Sequence, residues 1–358
     1  MVKVLVCDDS ALMRKMLRQM IESDPDLEVI ATARDGLDAI NKARELKPDV
    51  VTMDINLPVM DGITALQVIV DENIAPVIMV SSLTQEGALT TFEALELGAF
   101  DYIPKPDGTI SSNIQSITSE LIAKIKAASQ TRTLFKIKQL RKSISVTKTK
   151  PKVTFKPEKK GIKPTGLGYK AVAIGISTGG PKTIFDVLPY LSSELNCAVF
   201  LVQHMPQTFT NQFAQRIDKN TPMRCMEAQP GLKVEPGTIY LAKGGYHLTV
   251  FKNSKGEVII RTPTRPKTLF IPSVNVMMES VLSVFGKDTI GVLMTGMGDD
   301  GADAMVKIRK SGGITIAESE ESAIVFGMPG EAIKRGGAKI VAPSWEIAEN
   351  IIKAVSDF

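Results

Sequence analysis

Ser177 lies in "AIGISTGGP", residues 173–181, where an apolar run stops at a cluster of small residues. Gly175 and Gly179 permit a tight turn that lifts a side chain clear of a strand end. A hydroxyl placed there becomes a nucleophile only if a neighbouring base takes its proton. The chain has two histidines, His204 and His247. His204 follows the strand-like run "CAVFLVQ" and precedes a helical pattern, so it falls where Ser177 falls, at a strand's carboxyl end. His247, in "GGYHLTV", leads into an alternating strand and reads as a structural or rim residue. The imidazole needs a carboxylate to orient it, and "IGVLMTGMGDDGADAM", residues 290–305, offers Asp299 and Asp300 at a glycine turn. Either could instead cap the helix that follows. The chemistry implied is acyl transfer through serine. A phosphate cradle at the helix start after Ser177 is the alternative.

A second group of polar residues gathers in the first third of the chain. Asp8 and Asp9 end one apolar run, Asp54 ends a third, Ser81 and Ser82 end a fourth, and Lys105 follows a fifth in "YIPKP". Three converging carboxylates repel one another unless a hard divalent cation sits among them. A Mg²⁺ there would neutralise a phosphoryl group arriving on an aspartate oxygen, and a hydroxyl and a lysine would grip its oxygens.

The elements that must position these groups follow from periodicity. "KVLVC", "LEVIATA", "PDVVTMDI", "APVIMVSS" and "AFDYI" read as strands alternating with helices, which predicts an α/β, doubly wound (βα)5 fold. In the first helix, Leu12, Met13, Met16, Leu17, Met20 and Ile21 are expected on one buried face. The later segments, with "YKAVAIGI" as a strand and "PKTIFDVLPY" as a helix, predict a second α/β domain with a mostly parallel sheet. Such sheets collect ligand chemistry at the carboxyl ends of their strands.

Length and charge set the organisation. The 358 residues suit two domains. Residues 131–170 hold thirteen Lys or Arg against one acid, Glu158, and the remainder has 30 bases and 38 acids, a net −8. Two acidic bodies joined by a basic, self-repelling tether are expected, with boundaries at 1–125, 126–167 and 168–358. No run of about twenty apolar residues and no signal-peptide pattern is present. Cys7, Cys197 and Cys225 have no metal-ligand or paired spacing, so a reducing, cytoplasmic setting is expected and a catalytic thiol is unsupported.

"CDDS", "MDINLPVMDG", "PVIMVSS" and "GAFDYIPKP" resemble the receiver domain of two-component response regulators. The resemblance implies Asp54 as acceptor of a phosphoryl group from a histidine kinase, and Mg²⁺ held by Asp8, Asp9, Asp54 and the backbone carbonyl of Asn56. It also implies Ser81 and Tyr102 as switch residues and Lys105 as the phosphate contact. "GISTGGP", "QHMPQTFTNQFAQRID", "PGTIYLAKGGYHL", "PSVNVMMESV", "MTGMGDDGADAM" and "FGMPGEAI" resemble the catalytic domain of the CheB chemotaxis methylesterases. That resemblance implies hydrolysis of glutamate methyl esters, and deamidation of glutamines, on methyl-accepting chemoreceptors. Ser177 would be nucleophile, His204 base and Asp300 the orienting acid. Backbone N–H groups of Thr178, Gly179, Gly180 and Met297 are the oxyanion candidates. Hydrolysis would need no cofactor, and membrane contact would come only through the receptors. A monomer is expected, held inactive by its receiver until phosphorylation. Two departures stand out: Lys243 replaces the usual proline, and Asp299 stands where asparagine is common.

Three rivals remain on the sequence. A nucleic-acid-binding output is favoured only by the tether, and no helix-turn-helix pattern is evident. A binding module without chemistry is opposed by the presence of all three reactive residue types. An esterase acting on a different protein shares every motif above.

Overall fold

The computed structural model describes residues 1–82, 84–105, 111–142 and 167–356. The chain divides into two compact units, each built on its own parallel sheet.

The first unit alternates strand and helix: β1 (Val2–Cys7), α1 (Ala11–Glu22), β2 (Leu27–Ala33), α2 (Gly36–Leu46), β3 (Val50–Asp54), α3 (Gly62–Asp71), β4 (Val77–Ser81), α4 (Gln85–Glu96), β5 (Asp101–Pro104) and α5 (Ser111–Lys142). All strand pairings are parallel, in the order β2-β1-β3-β4-β5. The central strands "VVTMD" and "VIMVS" are buried throughout, as strands covered by helices on both faces must be. Helices start where a side chain takes an orphan N–H: Ser10 accepts from Met13, Asp35 from Asp38 and Asp61 from Thr64. On α1 the buried stripe is narrower than the sequence predicts. Leu17, Met20 and Ile21 are buried, whereas Leu12 is 67% exposed. Leu12 sits at the stripe's edge and in the first turn of the helix. Ile117, Leu121 and Ile125 of α5 close the core against Val4, Val6, Ile78 and Val80. The expected tether falls partly on α5, and its residues 143–166 lie outside the described residues.

The second unit runs β6 (Lys170–Ile176), α6 (Gly180–Thr183), β7 (Cys197–Gln203), α7 (Gln207–Asn220), β8 (Arg224–Glu227), β9 (Thr238–Leu241), β10 (Thr249–Lys252), β11 (Val258–Arg261), α8 (Val274–Phe285), β12 (Thr289–Leu293), α9 (Ala302–Lys310), β13 (Ile314–Glu318), α10 (Met328–Lys334), β14 (Ile340–Ala342) and α11 (Ser344–Ser356). Seven strands pair in parallel as β14-β13-β12-β6-β7-β9-β8, and β10 and β11 form an antiparallel pair of their own. Both expected α/β architectures are therefore present. Phe200 anchors the core on one face, with ring centroids 5.9 Å from Tyr240 and 6.1 Å from Phe285. The helix expected after Ser177 is only one turn. It gives way to 3₁₀ turns at Ile184–Asp186 and Leu188–Tyr190. Pro189 lacks the N–H a continuing helix would need. The three cysteines are free and buried. No helix among the described residues is long and apolar enough to cross a membrane.

Candidate active site

Strands β12, β6 and β7 are neighbours in the second sheet, and each leads at its carboxyl end into the segment that carries a predicted site residue. Ser177 follows β6, His204 follows β7, and Asp300 lies in the loop between β12 and α9. The chain leaves β6 for β7 on one side and meets β12 on the other, so the three groups meet where the strand order reverses. This is the crevice position expected of an open parallel sheet.

The side chains are in bonding range. Ser177 Oγ is 3.1 Å from His204 Nδ1, and His204 Nε2 is 2.9 Å from Asp300 Oδ2. The Asp300 carboxylate is also heavily bonded elsewhere. Oδ1 accepts from Ser273 Oγ at 2.8 Å and Asn275 N at 3.0 Å, and Oδ2 accepts from Val274 N at 2.7 Å. These donors are the cap and first turn of α8, whose unpaired N–H groups favour an anion. Burial opposes ionisation of Asp300, but the His204 contact and the Asn275 and Val274 N–H groups outweigh it. The carboxyl is held below the ordinary carboxylate range. An ionised Asp300 only accepts, so His204 carries its proton on Nε2 and turns the Nδ1 lone pair toward the serine.

Two backbone constraints hold the serine turn. Ser177 N–H donates to Thr295 O at 3.0 Å, and Ser177 O accepts from Gly180 N at 2.8 Å and Gln203 Nε2 at 3.0 Å. Gly179 has φ +77, and a Cβ there would stand 2.7 Å from Ile324. Gly296 passes so close beneath the turn that a Cβ on it would lie 2.8 Å from Ser177 Cβ. Of the oxyanion candidates, Gly180 has its N–H taken by the turn. Because the Ser177 carbonyl is pinned by two donors, the N–H of Thr178 in the same planar peptide points the opposite way. Among the described residues, no backbone carbonyl accepts from Thr178 N–H or Met297 N–H.

Several contacts were not legible in the sequence. Phe270 stacks on the His204 ring, with centroids 4.3 Å apart and planes 13° apart. His247 is fully buried, and its two ring nitrogens meet Pro266 O at 2.8 Å and Ser273 N at 3.2 Å. It therefore clamps the segment that carries Phe270 and Ser273. Asp299 is not beside the imidazole: its side chain is 61% exposed, with Oδ2 2.6 Å from Arg335, which also holds Asp303 at 2.8 Å. The added negative charge is thus neutralised locally. Lys243 Nζ lies 4.0 Å from Glu227 Oε2.

In the first unit, ligand atoms of Asp8, Asp9 and Asp54 lie within 4.8 Å of one another. Lys105 Nζ is 2.8 Å from Asp54 and 3.0 Å from Asp8. The Lys105 ammonium meets two of the three carboxylates, all hard oxygen donors, a set that fits a divalent cation such as Mg²⁺. Burial raises the Asp54 carboxyl above its ordinary value despite Lys105. Asn56 is exposed beside Asp54 and donates a backbone hydrogen bond to it. Ser81 is buried, with its hydroxyl 2.8 Å from that of Thr91. Tyr102 is buried, and its carbonyl accepts from Lys124 Nζ at 2.7 Å.

Comparison with known proteins agrees with both halves. The CheB methylesterase family matches residues 172–351, and the response regulator receiver domain matches residues 4–114. A protein-glutamate methylesterase/protein-glutamine glutaminase 3 of Syntrophomonas wolfei subsp. wolfei is 58% identical over 359 residues, covering 99% of this chain and 100% of that protein. A protein-glutamate methylesterase/protein-glutamine glutaminase of Caldanaerobacter subterraneus subsp. tengcongensis is 50% identical, covering 100% of this chain and 97% of its own. The crystal structure of the Thermotoga maritima CheB methylesterase catalytic domain superposes with a TM-score of 0.52 at 35% identity. It covers 53% of this chain and 100% of that one.

Proposed function

The chain belongs to the CheB methylesterase family and carries a response regulator receiver domain, and from that premise we propose that it is a phosphorylation-regulated protein-glutamate methylesterase and protein-glutamine glutaminase that acts on methyl-accepting chemoreceptors in chemotaxis. The observation that carries the reading is the continuous chain from Ser177 through His204 to Asp300, at 3.1 and 2.9 Å.

Ser177 Oγ attacks the carbonyl carbon of a glutamate methyl ester while its proton passes to His204 Nδ1. Asp300 keeps Nε2–H directed at itself and stabilises the imidazolium that forms. The N–H groups of Thr178, Gly179 and Met297, which no backbone carbonyl takes among the described residues, are the donors for the oxyanion. When the tetrahedral intermediate collapses, the ester C–O bond breaks and methanol takes the proton from Nδ1. Water then attacks the acyl-enzyme, giving its proton to Nδ1, and the carboxylate leaves as Ser177 regains its hydrogen. For a glutamine substrate the same steps release ammonia.

Asp54 accepts the phosphoryl group from a chemotaxis histidine kinase. Asp8, Asp9, Asp54 and the Asn56 carbonyl would hold Mg²⁺, which supplies charge neutralisation to the incoming phosphoryl group. Lys105 and the Ser81 hydroxyl bind phosphoryl oxygens, and Tyr102 follows the switch. The working boundaries are a receiver at 1–125, a basic linker at 126–167 and a catalytic domain at 168–358. The protein acts in the cytoplasm as a monomer and meets membranes through its receptor substrates.

Methanol release from methylated receptor membranes tests the reading. Wild-type protein should release methanol and Ser177→Ala should not. An active Ser177→Ala protein would refute the serine mechanism.

A further inference from the structure

Glu318 ends β13 with its side chain fully buried, yet among the described residues no lysine or arginine pairs with it. Its two oxygens are used separately. Oε2 accepts from Thr295 N at 2.7 Å, and Oε1 accepts from Ser322 Oγ at 2.8 Å. An ionisable group buried against two neutral donors is an expensive way to fill a core, so what those donors do next matters.

Thr295 grips the serine turn from both sides. Its carbonyl accepts from Ser177 N at 3.0 Å, and its hydroxyl donates to Thr178 O at 2.8 Å. Ser322 leads into the segment that packs against the same turn. Ile324 touches the space beside Gly179, and Val325 N donates to Thr295 Oγ1 at 2.9 Å. Gly296 N in turn donates to Val325 O at 3.0 Å, directly beneath Ser177. One carboxylate thus ties together the two segments between which the nucleophile's backbone is held.

Resting on the proposed role of Ser177, we propose that Glu318 is a positioning residue for the nucleophile: by fixing Thr295 and the 322–326 segment, it sets the place of the Ser177 hydroxyl and the direction of the Thr178 N–H. It touches no substrate. Its effect passes through backbone hydrogen bonds to the turn, so it acts on kcat and leaves substrate binding alone.

The test uses the full-length chain and methanol release from methylated receptor membranes. Glu318→Gln keeps an acceptor for Thr295 N–H and can donate to the Ser322 hydroxyl, so its kcat should stay within about threefold of wild type. Glu318→Ala should lose roughly tenfold or more in kcat with KM changed by less than about twofold, because small misplacement of a reacting group is costly. Circular dichroism and the melting temperature establish that each variant is folded. Should Glu318→Ala fail to fold, Glu318→Asp takes its place, drawing the carboxylate back by one methylene with the same expected loss in kcat. A folded Ala or Asp variant with wild-type kcat overturns the inference, as does a Gln variant as slow as Ala. Ser177→Ala runs alongside: if it alone retains activity, the serine reading fails, whereas an inactive Ser177→Ala beside a fully active Glu318→Ala refutes only the role of Glu318.

Discussion

His204 meets the Ser177 hydroxyl through Nδ1, at 3.1 Å, and turns Nε2 to Asp300 at 2.9 Å. The acid therefore fixes the tautomer from the far side of the ring, and in the proposed mechanism the proton leaving serine goes to the nitrogen nearer the His204 backbone. Asp300 can do this because three further donors already hold both its oxygens.

Replacing Asp300 by asparagine should test that arrangement. An amide offers one acceptor oxygen to four donors and can present N–H where His204 needs an acceptor. A loss of about 10³ or more in kcat is expected, with KM little changed. Asp299→Asn, by contrast, should stay within about twofold, since Asp299 faces Arg335. Steady-state methanol release measures both, and a reversed ranking would reassign the orienting acid.

Phe270 covers one face of the His204 imidazole. Stacking of this kind contributes about 0.5–1.5 kcal/mol, so Phe270→Ala should slow kcat by roughly two- to tenfold, and Phe270→Tyr should recover most of it. An Ala variant with unaltered kcat would mean that the ring is held without help from the stack.

Phosphoryl transfer should depend on the acidic cluster and not on the esterase site. With a small-molecule phosphodonor, wild-type activity should rise by about ten- to hundredfold, equivalent to roughly 1.4–2.8 kcal/mol of differential stability. Asp54→Asn, or chelation of Mg²⁺, should remove the rise and leave basal methanol release intact. Stimulation that survives both treatments would place the phosphoryl group elsewhere.

Burial lifts the Glu318 carboxyl from 4.5 to about 7, and the nearby Asp186 carboxylate adds to the shift. The folded state therefore binds a proton between pH 4.5 and 7 that the unfolded chain has released. In that window stability falls as pH rises, and the penalty is complete above pH 7. Glu318→Gln has no such proton. Its stability relative to wild type should improve by a few kcal/mol, of order 3, between pH 4.5 and 8. Denaturant melts of both proteins across that range check the sign, and parallel curves would show that Glu318 stays ionised throughout.

The sequence by itself determined which residue types stand at strand ends. Apolar runs closed by "GIS", "VQH" and "MTGMGDDG" placed a hydroxyl, an imidazole and two carboxylates after strands, and "CDD", "MD" and "IPK" did the same for the acidic cluster. Such local signals survive because burial on both faces of a parallel strand, and the turn that follows it, leave marks within a few residues. Tertiary structure alone decided how those ends meet. Ser177 and His204 are 27 residues apart and His204 and Asp300 are 96 apart, so their contact depends on β12, β6 and β7 lying side by side. The choice between Asp299 and Asp300 turned on Arg335 and the start of α8, each far from the pair in sequence. Phe270 lies in no motif, and Ser273 and Thr295, though they stand inside "PSVNVMMESV" and "MTGMGDDGADAM", show no role there, because a stacking ring, a capping hydroxyl and a bridging threonine are ordinary residues until the fold sets them against the site. Their roles are relations between segments, and hydrogen bonds between segments are made only once the chain has packed.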